Sequence, residues 1–120
     1  MDNYKTLKEV CDLCGVTRRA VQGYEKEGLV ESSDRNKYGH LLYDAEAQKQ
    51  IAHIKLFQQF GFAVKEIKGL MNASEGEIRE AIEEKIICMK AKQIEIEELV
   101  RKAHALLDEL ETYHEGGYYG

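Results

Sequence analysis

The sequence predicts a mainly α-helical protein, in which a winged helix-turn-helix domain is followed by one long helix. Two observations predict this fold. Residues 15–30, GVTRRAVQGYEKEGLV, have the composition of a tight turn, a short capped helix and a closing glycine. Residues 78–113 carry apolar side chains at alternating spacings of four and three, the pattern of a coiled coil. The 120 residues include no proline, which agrees with long uninterrupted helices.

The helix-turn-helix is predicted from its start and stop signals. A first helix is expected over residues 6–14, where TLKEVCDLC places its apolar residues on one face. Thr17 has a side chain that can cap the second helix by accepting a backbone N–H, and Gly28 is placed to end it. Arg18 and Arg19 follow the cap, where side chains of a docked recognition helix reach the bases and phosphates of DNA. The unit therefore predicts binding to double-stranded DNA.

Residues 31–44 predict the wing. Turn-forming residues at 36–39 precede a short apolar run at 41–43, which indicates a β-hairpin with Arg35 and Lys37 at its tip. A solvated loop is the alternative interpretation of this segment.

Two further helices are expected to complete the first domain, residues 1–72. The first covers residues 44–58 and begins with Asp44 as its N-cap. Phe60-Gly61-Phe62 interrupts the helical pattern, and a second short helix follows over residues 63–71. The elements between residues 4 and 72 contain enough apolar side chains for one core.

A polar break at residues 72–77 is expected to precede the long helix, which we assign to a dimerisation domain over residues 73–113. A helix of this length measures on the order of 50 Å, too long for a small head to cover, so a second copy of the chain is the simplest partner. Nine positions fit the heptad seam and eight are apolar, while Gln93 fits a role in setting register. The seam consists of Ile82, Ile86, Met89, Gln93, Ile96, Val100, Ala103, Leu107 and Leu110. Residues 114–120 are expected to form a flexible tail.

Charge and composition restrict the class of protein. Residues 1–72 hold eleven Lys/Arg and ten Asp/Glu, a net charge of +1, whereas residues 73–120 hold six and twelve, a net charge of −6. The acidic excess thus lies away from the helix-turn-helix, although +1 is a weak field for a DNA-binding domain. No membrane-spanning run or signal-peptide pattern is present, so a cytoplasmic protein without a membrane partner is expected. No catalytic constellation or cofactor motif is present, so neither an enzyme nor a cofactor is expected.

Cys11 and Cys14 form a C-x-x-C on one face of the first helix. A redox pair and half of a zinc site are the functional interpretations, but no second Cys/His pair lies at a fitting spacing for zinc. A helix-turn-helix needs small apolar residues at these positions, and a buried free cysteine behaves as one. We therefore favour packing, and no metal site is expected.

The order of these elements, with YEKEGL (24–29) and GFAVKEI (61–67), resembles the mercury-resistance regulator (MerR) family, in a short form without a C-terminal effector domain. The resemblance covers residues 4–112. It implies winged-helix homodimers joined by an antiparallel coiled coil. It also implies that such dimers bend and untwist promoter DNA, and so influence RNA polymerase through the shared promoter.

Carried over by position, the resemblance implies a DNA-contacting set on the second helix and the wing. Together with the basic residues noted above, this set consists of Thr17, Arg18, Arg19, Gln22, Tyr24, Arg35, Asn36, Lys37, Tyr38, His40 and Tyr43. Two departures reduce the expected phosphate or base contacts. The family's usual Arg-(Tyr/Phe)-Tyr is here Gln22-Gly23-Tyr24, and Leu41 replaces the wing arginine. Since Gln22 retains the ability to read adenine, a changed DNA sequence preference is expected rather than lost binding.

Three functions remain open from the sequence. The leading hypothesis is a homodimeric, sequence-specific transcriptional regulator. The second is an architectural, excisionase-like factor that bends DNA without regulating polymerase, which the long coiled coil disfavours. The third is a coiled-coil adaptor that has lost DNA affinity, which the near-neutral head and the two departures motivate.

Overall fold

A computed structural model describes the backbone of residues 3–115 and the side chains of residues 3–112. This part of the chain contains five α-helices and three short strands, so the mainly α-helical prediction is confirmed. The chain divides into two compact units, residues 1–82 and residues 83–120, which we call the head and the extension. Of the predicted tail, residues 116–120 lie outside the described residues.

The helix-turn-helix forms where its caps predict it. Helix α1 spans Leu7–Cys14 and helix α2 spans Arg18–Lys26. A reciprocal capping box starts α1, because Thr6 Oγ1 accepts from the Glu9 N–H at 3.3 Å while Glu9 Oε1 accepts from the Thr6 N–H at 2.9 Å. Thr17 starts α2, since its Oγ1 accepts from the Ala20 N–H at 3.0 Å.

Gly28 ends α2 as predicted. Its φ of +77° lies in the left-handed region, which favours glycine. The Gly28 N–H donates to the Glu25 carbonyl at 3.0 Å and the Leu29 N–H to the Tyr24 carbonyl at 2.9 Å, the two bonds of a Schellman motif. This reversal directs Leu29 and Val30 into the core.

The wing is a hairpin within a three-stranded antiparallel sheet. Strand β2 (Asp34–Arg35) pairs with β3 (Leu41–Tyr43), and β3 also pairs with β1 (Lys5–Thr6), giving the order β1-β3-β2. The predicted hairpin is confirmed, and the solvated-loop alternative is wrong. Strand β1 was not predicted because two residues are too few to show an alternation of apolar and polar side chains.

Helices α3 (Ala45–Phe60) and α4 (Val64–Leu70) complete the head. Asp44 caps α3 by accepting from the Ala47 N–H at 2.8 Å, as predicted. Helix α3 runs two residues beyond the predicted end and stops at Gly61, whose φ is +109°.

The core of the head lies where α1, α2, α3 and β3 meet. The largest fully buried side chains are Val10, Val21, Tyr24, Tyr43 and Ile51, which come from these four elements. In the N-terminal half of α2, the side opposite the buried residues faces solvent. Burial of Val21 and Tyr24 therefore determines which face of this helix is exposed.

Helix α5 spans Glu75–Glu115 and begins three residues before the predicted start. The reason is Ser74, whose Oγ accepts from the Glu77 N–H and donates to Glu77 Oε1, both at 3.2 Å. Gly76, expected in the break, therefore lies in the first turn. Ala81 packs against the core, and the compact unit that contains the core runs to residue 82.

The extension exposes its apolar residues. The seam side chains Ile86, Met89, Ile96, Val100, Leu107 and Leu110 are between 36% and 59% exposed. No side chain between residues 83 and 112 is buried. Over the described range, no helix has the length and apolar character needed to cross a membrane.

Candidate nucleic-acid interface

The first part of the candidate interface is the N-terminal turn of α2. Val21 and Tyr24 anchor one side of this helix in the core, with exposed fractions of 0% and 2%. Arg18, Arg19 and Gln22 are exposed on the remaining surface. Arg18 and Gln22 are four residues apart and therefore share a helix face. Guanidinium groups bind guanine edges or phosphates and the Gln22 amide can pair with adenine, so this turn has the chemistry to read base edges.

A cleft joins the start of α2 to the wing. Its walls include Thr6, Lys8, Arg18, His40 and Leu41. Lys8 and Arg18 bring two cations to one opening, which suits the phosphate backbone of DNA. Sequence reasoning missed Lys8, because a lysine in the first turn of an amphipathic helix looks like an ordinary solvated residue. The useful signal is its position two residues after the Thr6 cap, at the end of the strand that pairs with the wing.

The wing tip is organised by Asn36 and Arg35. Asn36 Oδ1 accepts from the Tyr38 N–H at 2.9 Å and the His40 N–H at 3.0 Å. Arg35 Nη1 donates to the Gly39 carbonyl at 2.7 Å. Both side chains therefore shape the loop. The half-buried Asn36 does so through Oδ1, the only acceptor atom of its side chain.

Lys37 and Tyr38 are exposed on this loop. The Tyr38 side chain is 71% exposed, and Lys37 Nζ lies 5.1 Å from the centre of its ring, a cation–π distance. The His40 ring lies 6.3 Å from the same ring. The tip thus offers a cation, an aromatic face and an imidazole to a backbone or groove placed against it.

The assignment of Tyr24 and Tyr43 to the DNA-contacting set needs correction. Both side chains lie in the core, with exposed fractions of 2% and 1%. The Tyr24 hydroxyl donates to Gln58 Oε1 at 2.5 Å, and the Tyr43 hydroxyl donates to Glu25 Oε1. The resemblance assigned both residues to the DNA-contacting set, whereas the spacing of Val21 and Tyr24 predicts an inward face for Tyr24.

The two buried tyrosines position the interface instead. Tyr24 connects α2 to α3, and Tyr43 connects β3 to α2. Burial raises the pKa of both hydroxyls, and the Glu25 hydrogen bond adds to the rise at Tyr43, so both stay protonated donors. They hold α2 against the sheet and α3, and so fix the direction in which Arg18 and Arg19 are displayed.

Of the two departures noted in the sequence, packing explains Leu41 but not Gly23. Leu41 is half-buried and packs against the core at the base of the wing. Gly23 lies within α2, and a Cβ added there would meet no atom within 4 Å. Tight packing therefore does not require glycine at position 23.

Cys11 and Cys14 behave as packing residues. Both are half-buried beside the core, and burial raises the pKa of both thiols, which disfavours the reactive thiolate. Among residues 3–112, no three or more His, Cys, Asp or Glu side chains are grouped to hold a metal ion.

The sequence was compared with known protein families and with individual proteins. The sequence pattern described as "MerR HTH family regulatory protein" matches residues 5–74, which include every element from β1 to α4. The mercuric resistance operon regulatory protein of Bacillus cereus is 29% identical over 105 residues, which cover 85% of this chain and 80% of that protein. The nodulation protein NolA of Bradyrhizobium elkanii is 32% identical over 68 residues, covering 57% of this chain but only 31% of that protein.

Solved structures share the fold over most of the chain. A MerR family transcriptional regulator from Bacillus cereus is 25% identical, with a TM-score of 0.63 over 81% of this chain and 75% of that one. HiNmlR is described as a MerR family regulator lacking the sensor domain and was solved bound to promoter DNA. It superimposes with a TM-score of 0.73 over 91% of this chain and 94% of its own, at 16% identity. At that identity the likeness is one of fold.

Proposed function

This chain belongs to the MerR HTH family of regulatory proteins, and from that premise we propose that it is a homodimeric transcriptional regulator that binds a specific promoter sequence and bends and untwists it. The observation that carries the proposal is the display of α2. Thr17 caps the helix, Val21 and Tyr24 bury one side of it, and Arg18 and Arg19 are left exposed at its start.

The wing and the adjoining cleft extend the same surface. We assign phosphate contacts to Lys8, Arg18, Lys37 and His40, since these groups line the cleft or the exposed tip. Arg19 and Gln22 are assigned to base reading. Phosphate contacts fix the orientation of the head on the duplex, and base contacts select the sequence.

The extension supplies the argument for a homodimer. Its apolar seam side chains are exposed over about three and a half heptads, from Ile86 to Leu110, and an apolar stripe of this length requires a partner. A second copy carries a complementary stripe by definition. An antiparallel pair would contain two heads, so each dimer would present two recognition helices.

A mismatch in spacing is the physical basis for DNA distortion in this proposal. If the spacing between two half-sites differs from the spacing of the recognition helices, the duplex must bend or untwist for both to bind. The free energy of that deformation depends on the sequence of the DNA and is recovered from the additional contacts. RNA polymerase would then respond to the altered shape of its promoter, without a catalytic step or a cofactor in the regulator.

Fluorescence anisotropy tests the DNA-binding part of the proposal. The full chain is titrated against labelled DNA from upstream of its own coding sequence, at several salt concentrations and with scrambled competitor DNA. We expect competitor-resistant binding that weakens steeply with salt, since phosphate contacts release counterions. Replacing Arg18 and Arg19 by Gln should weaken binding and reduce the salt slope by about 1 for each lost phosphate contact.

Arg101→Gln is the matched control for each single replacement, because it also removes one exposed guanidinium, from the extension and not from the interface. An equal loss of affinity in this control would show that total charge, rather than α2, governs binding. Negligible binding to both DNAs at low salt would contradict DNA recognition and favour the adaptor alternative.

Energy transfer between dyes at the two ends of the bound DNA tests distortion separately. Bound DNA should show a shorter end-to-end distance than free DNA. An unchanged distance with intact specific binding would remove bending from the proposal and retain the regulator. Bending without an effect on transcription in a purified polymerase assay would identify an architectural factor instead.

A further inference from the structure

An apolar pocket in the head is lined by residues of α3, α4 and the first turn of α5, together with the residue that follows Gly28. Its volume is about 180 Å³. Its apolar walls include Leu29, Ile54, Phe57, Ile67, Leu70 and Ile78. Three of these side chains are buried and three are half-buried. The DNA interface proposed above uses none of them.

The size and the walls of this pocket restrict what it can bind. A protein cavity of about 150 Å³ with Leu, Ile and Phe walls stays dry and binds benzene. Here Phe57 supplies an aromatic wall, and its ring centre lies 5.9 Å from that of Phe60 and 5.5 Å from that of Phe62. These neighbours hold the Phe57 ring in place, so a ligand ring can pack against it. The pocket therefore suits a molecule with a single aromatic ring.

The exposed lining residues add polar groups at the rim of the pocket. Gln50 and His53 are three residues apart on α3 and therefore lie on one face of that helix. An amide and an imidazole can each donate or accept a hydrogen bond. Met71, which is 53% exposed, adds a thioether to the same rim, and sulfur packs favourably against aromatic rings. A ring with one hydrogen-bonding substituent fits this arrangement.

Two contacts connect the pocket to the recognition helix α2. The N–H of the wall residue Leu29 donates to the Tyr24 carbonyl at 2.9 Å and helps to end α2. The wall residue Phe57 is followed by Gln58, whose Oε1 accepts from the Tyr24 hydroxyl at 2.5 Å. A ligand that shifts either wall residue therefore acts on Tyr24, which anchors α2 in the core.

We propose that this pocket binds a small molecule with one aromatic ring and one hydrogen-bonding group, such as a phenol, and that its occupancy changes the affinity of the head for DNA. The ring lies against the apolar walls, and the polar group bonds to Gln50 or His53 at the rim. The change in DNA affinity rests on the proposed function, whereas the binding of the ligand does not.

Methyl NMR of the full chain measures binding, with p-cresol as the probe. The sequence has three methionines, so methyl labelling gives one reporter at the rim, Met71, and one on the proposed seam, Met89. We expect p-cresol to shift the Met71 signal saturably, through the ring current of the bound molecule, and to leave Met89 unchanged. Ile78→Phe adds a ring to the pocket wall and should abolish the shift. Leu56→Phe, at a 42% exposed position of α3 outside the pocket lining, is the matched control and should retain it.

The absence of a saturable Met71 shift, or an equal shift in the Ile78→Phe chain, would overturn the ligand site. Binding of p-cresol only to a chain dissociated by Leu107→Asp in the proposed seam would also overturn it, because a second copy would then cover the pocket.

Toluene tests the hydrogen bond, since it has the ring and methyl group of p-cresol but no hydroxyl. Replacing Gln50 and His53 together by Ala should weaken p-cresol binding about 3- to 10-fold, the range expected for one hydrogen bond, and leave toluene binding unchanged. Equal losses for both molecules would overturn the polar contact at the rim.

Fluorescence anisotropy with labelled promoter DNA tests the effect on α2. Saturating p-cresol should change the DNA dissociation constant at least about fivefold in the natural chain and leave it unchanged in the Ile78→Phe chain. An unchanged constant with a saturated pocket would overturn the regulatory part of the proposal. A chain that binds p-cresol but no DNA would contradict the proposed function and leave the ligand site standing.

Discussion

The head and the extension treat apolar side chains in opposite ways. The head buries twelve apolar residues, which come from four of the helices and from the strand and turn segments between them. The extension buries none between residues 83 and 112, although its seam is as regularly apolar as any face of the head. A short chain can close a core only where several elements converge. A single helix has nothing to converge with, and the proposed homodimer would complete its stripe.

The two regions also differ in how their ends are defined. Each head helix has a cap or a left-handed glycine at one end or both, as Thr17 and Gly28 show for α2. Helix α5 has a cap at Ser74 and then depends on periodicity alone over ten turns. Folding of the head is therefore specified locally, whereas the order of the extension depends on what packs against its seam.

The largest expected effect is the loss of pairing between extensions while the head stays folded. Leu107→Asp places a carboxylate in the proposed seam, and an unpaired buried charge costs about 3–5 kcal/mol. The dimer dissociation constant should rise about 100-fold or more. Sedimentation equilibrium measures that constant, and the denaturation curve of the head should keep its midpoint. Ala105→Asp adds the same charge two positions away, on the outer side by the heptad count, and should leave the dimer intact. Equal dissociation in both variants would refute the seam.

The next prediction destabilises the head. It tests whether the burial of a side chain determines how much its truncation lowers the free energy of unfolding in each region. Ile51 is 0% exposed in the core, and Ile51→Ala should lower the free energy of unfolding by about 2–5 kcal/mol. Ile94 is 58% exposed on the extension and lies off the seam, so Ile94→Ala should change it by about 0.5 kcal/mol or less. Urea titration of both variants measures the difference. Similar losses would show that Ile94 is as well packed in the working protein as Ile51.

Sequence patterns predicted the parts of this molecule that are specified locally. Thr17, Gly28 and Asp44 each act within three residues of their own position, and all three caps form as predicted. The coiled-coil period likewise depends only on spacing, and it predicted the long helix. Strand β1 was missed because its two residues are extended only through pairing with β3, more than 35 positions away.

The candidate site was predictable in its location and less so in its side chains. Arg18 and Arg19 follow a cap, and their exposure follows from the helix face that Val21 and Tyr24 bury. The helical spacing of Val21 and Tyr24 predicts their shared inward face. The resemblance instead assigned Tyr24 and Tyr43 to the DNA-contacting set, and a tyrosine suits both a core and a phosphate. Its hydroxyl partners, Gln58 and Glu25, lie 34 and 18 positions away, beyond the range of any local pattern.

A smaller effect distinguishes Gly23, inside α2, from Gly28, just beyond the end of that helix. Gly28 has a φ of +77°, so Gly28→Ala should cost about 1–2 kcal/mol through left-handed strain. Gly23 lies inside the helix with open space around its Cα, so Gly23→Ala should stabilise the head by about 0.5–1 kcal/mol. Thermal unfolding measures both, each variant serving as control for the other. The DNA affinity of the Gly23→Ala protein is a second measurement. If this variant is more stable but binds DNA more weakly, the DNA backbone approaches position 23 closely.

The smallest expected effect is a pH dependence confined to the capped start of the head. Hydrogen bonds from Thr6 hold the pKa of the Glu9 carboxyl below that of an ordinary glutamate. A carboxyl whose pKa is lower in the folded state contributes stability above its unfolded pKa of about 4.3, and that stability is lost as the pH falls toward the folded value. Glu9→Gln should therefore make the stability of the head less sensitive to pH below about 5, measured by urea titration at a series of pH values. Glu97→Gln on the extension removes a carboxylate without touching a cap. If that variant flattened the profile equally, total charge would account for the effect, and the capping box would make no measurable contribution to the difference between the two regions.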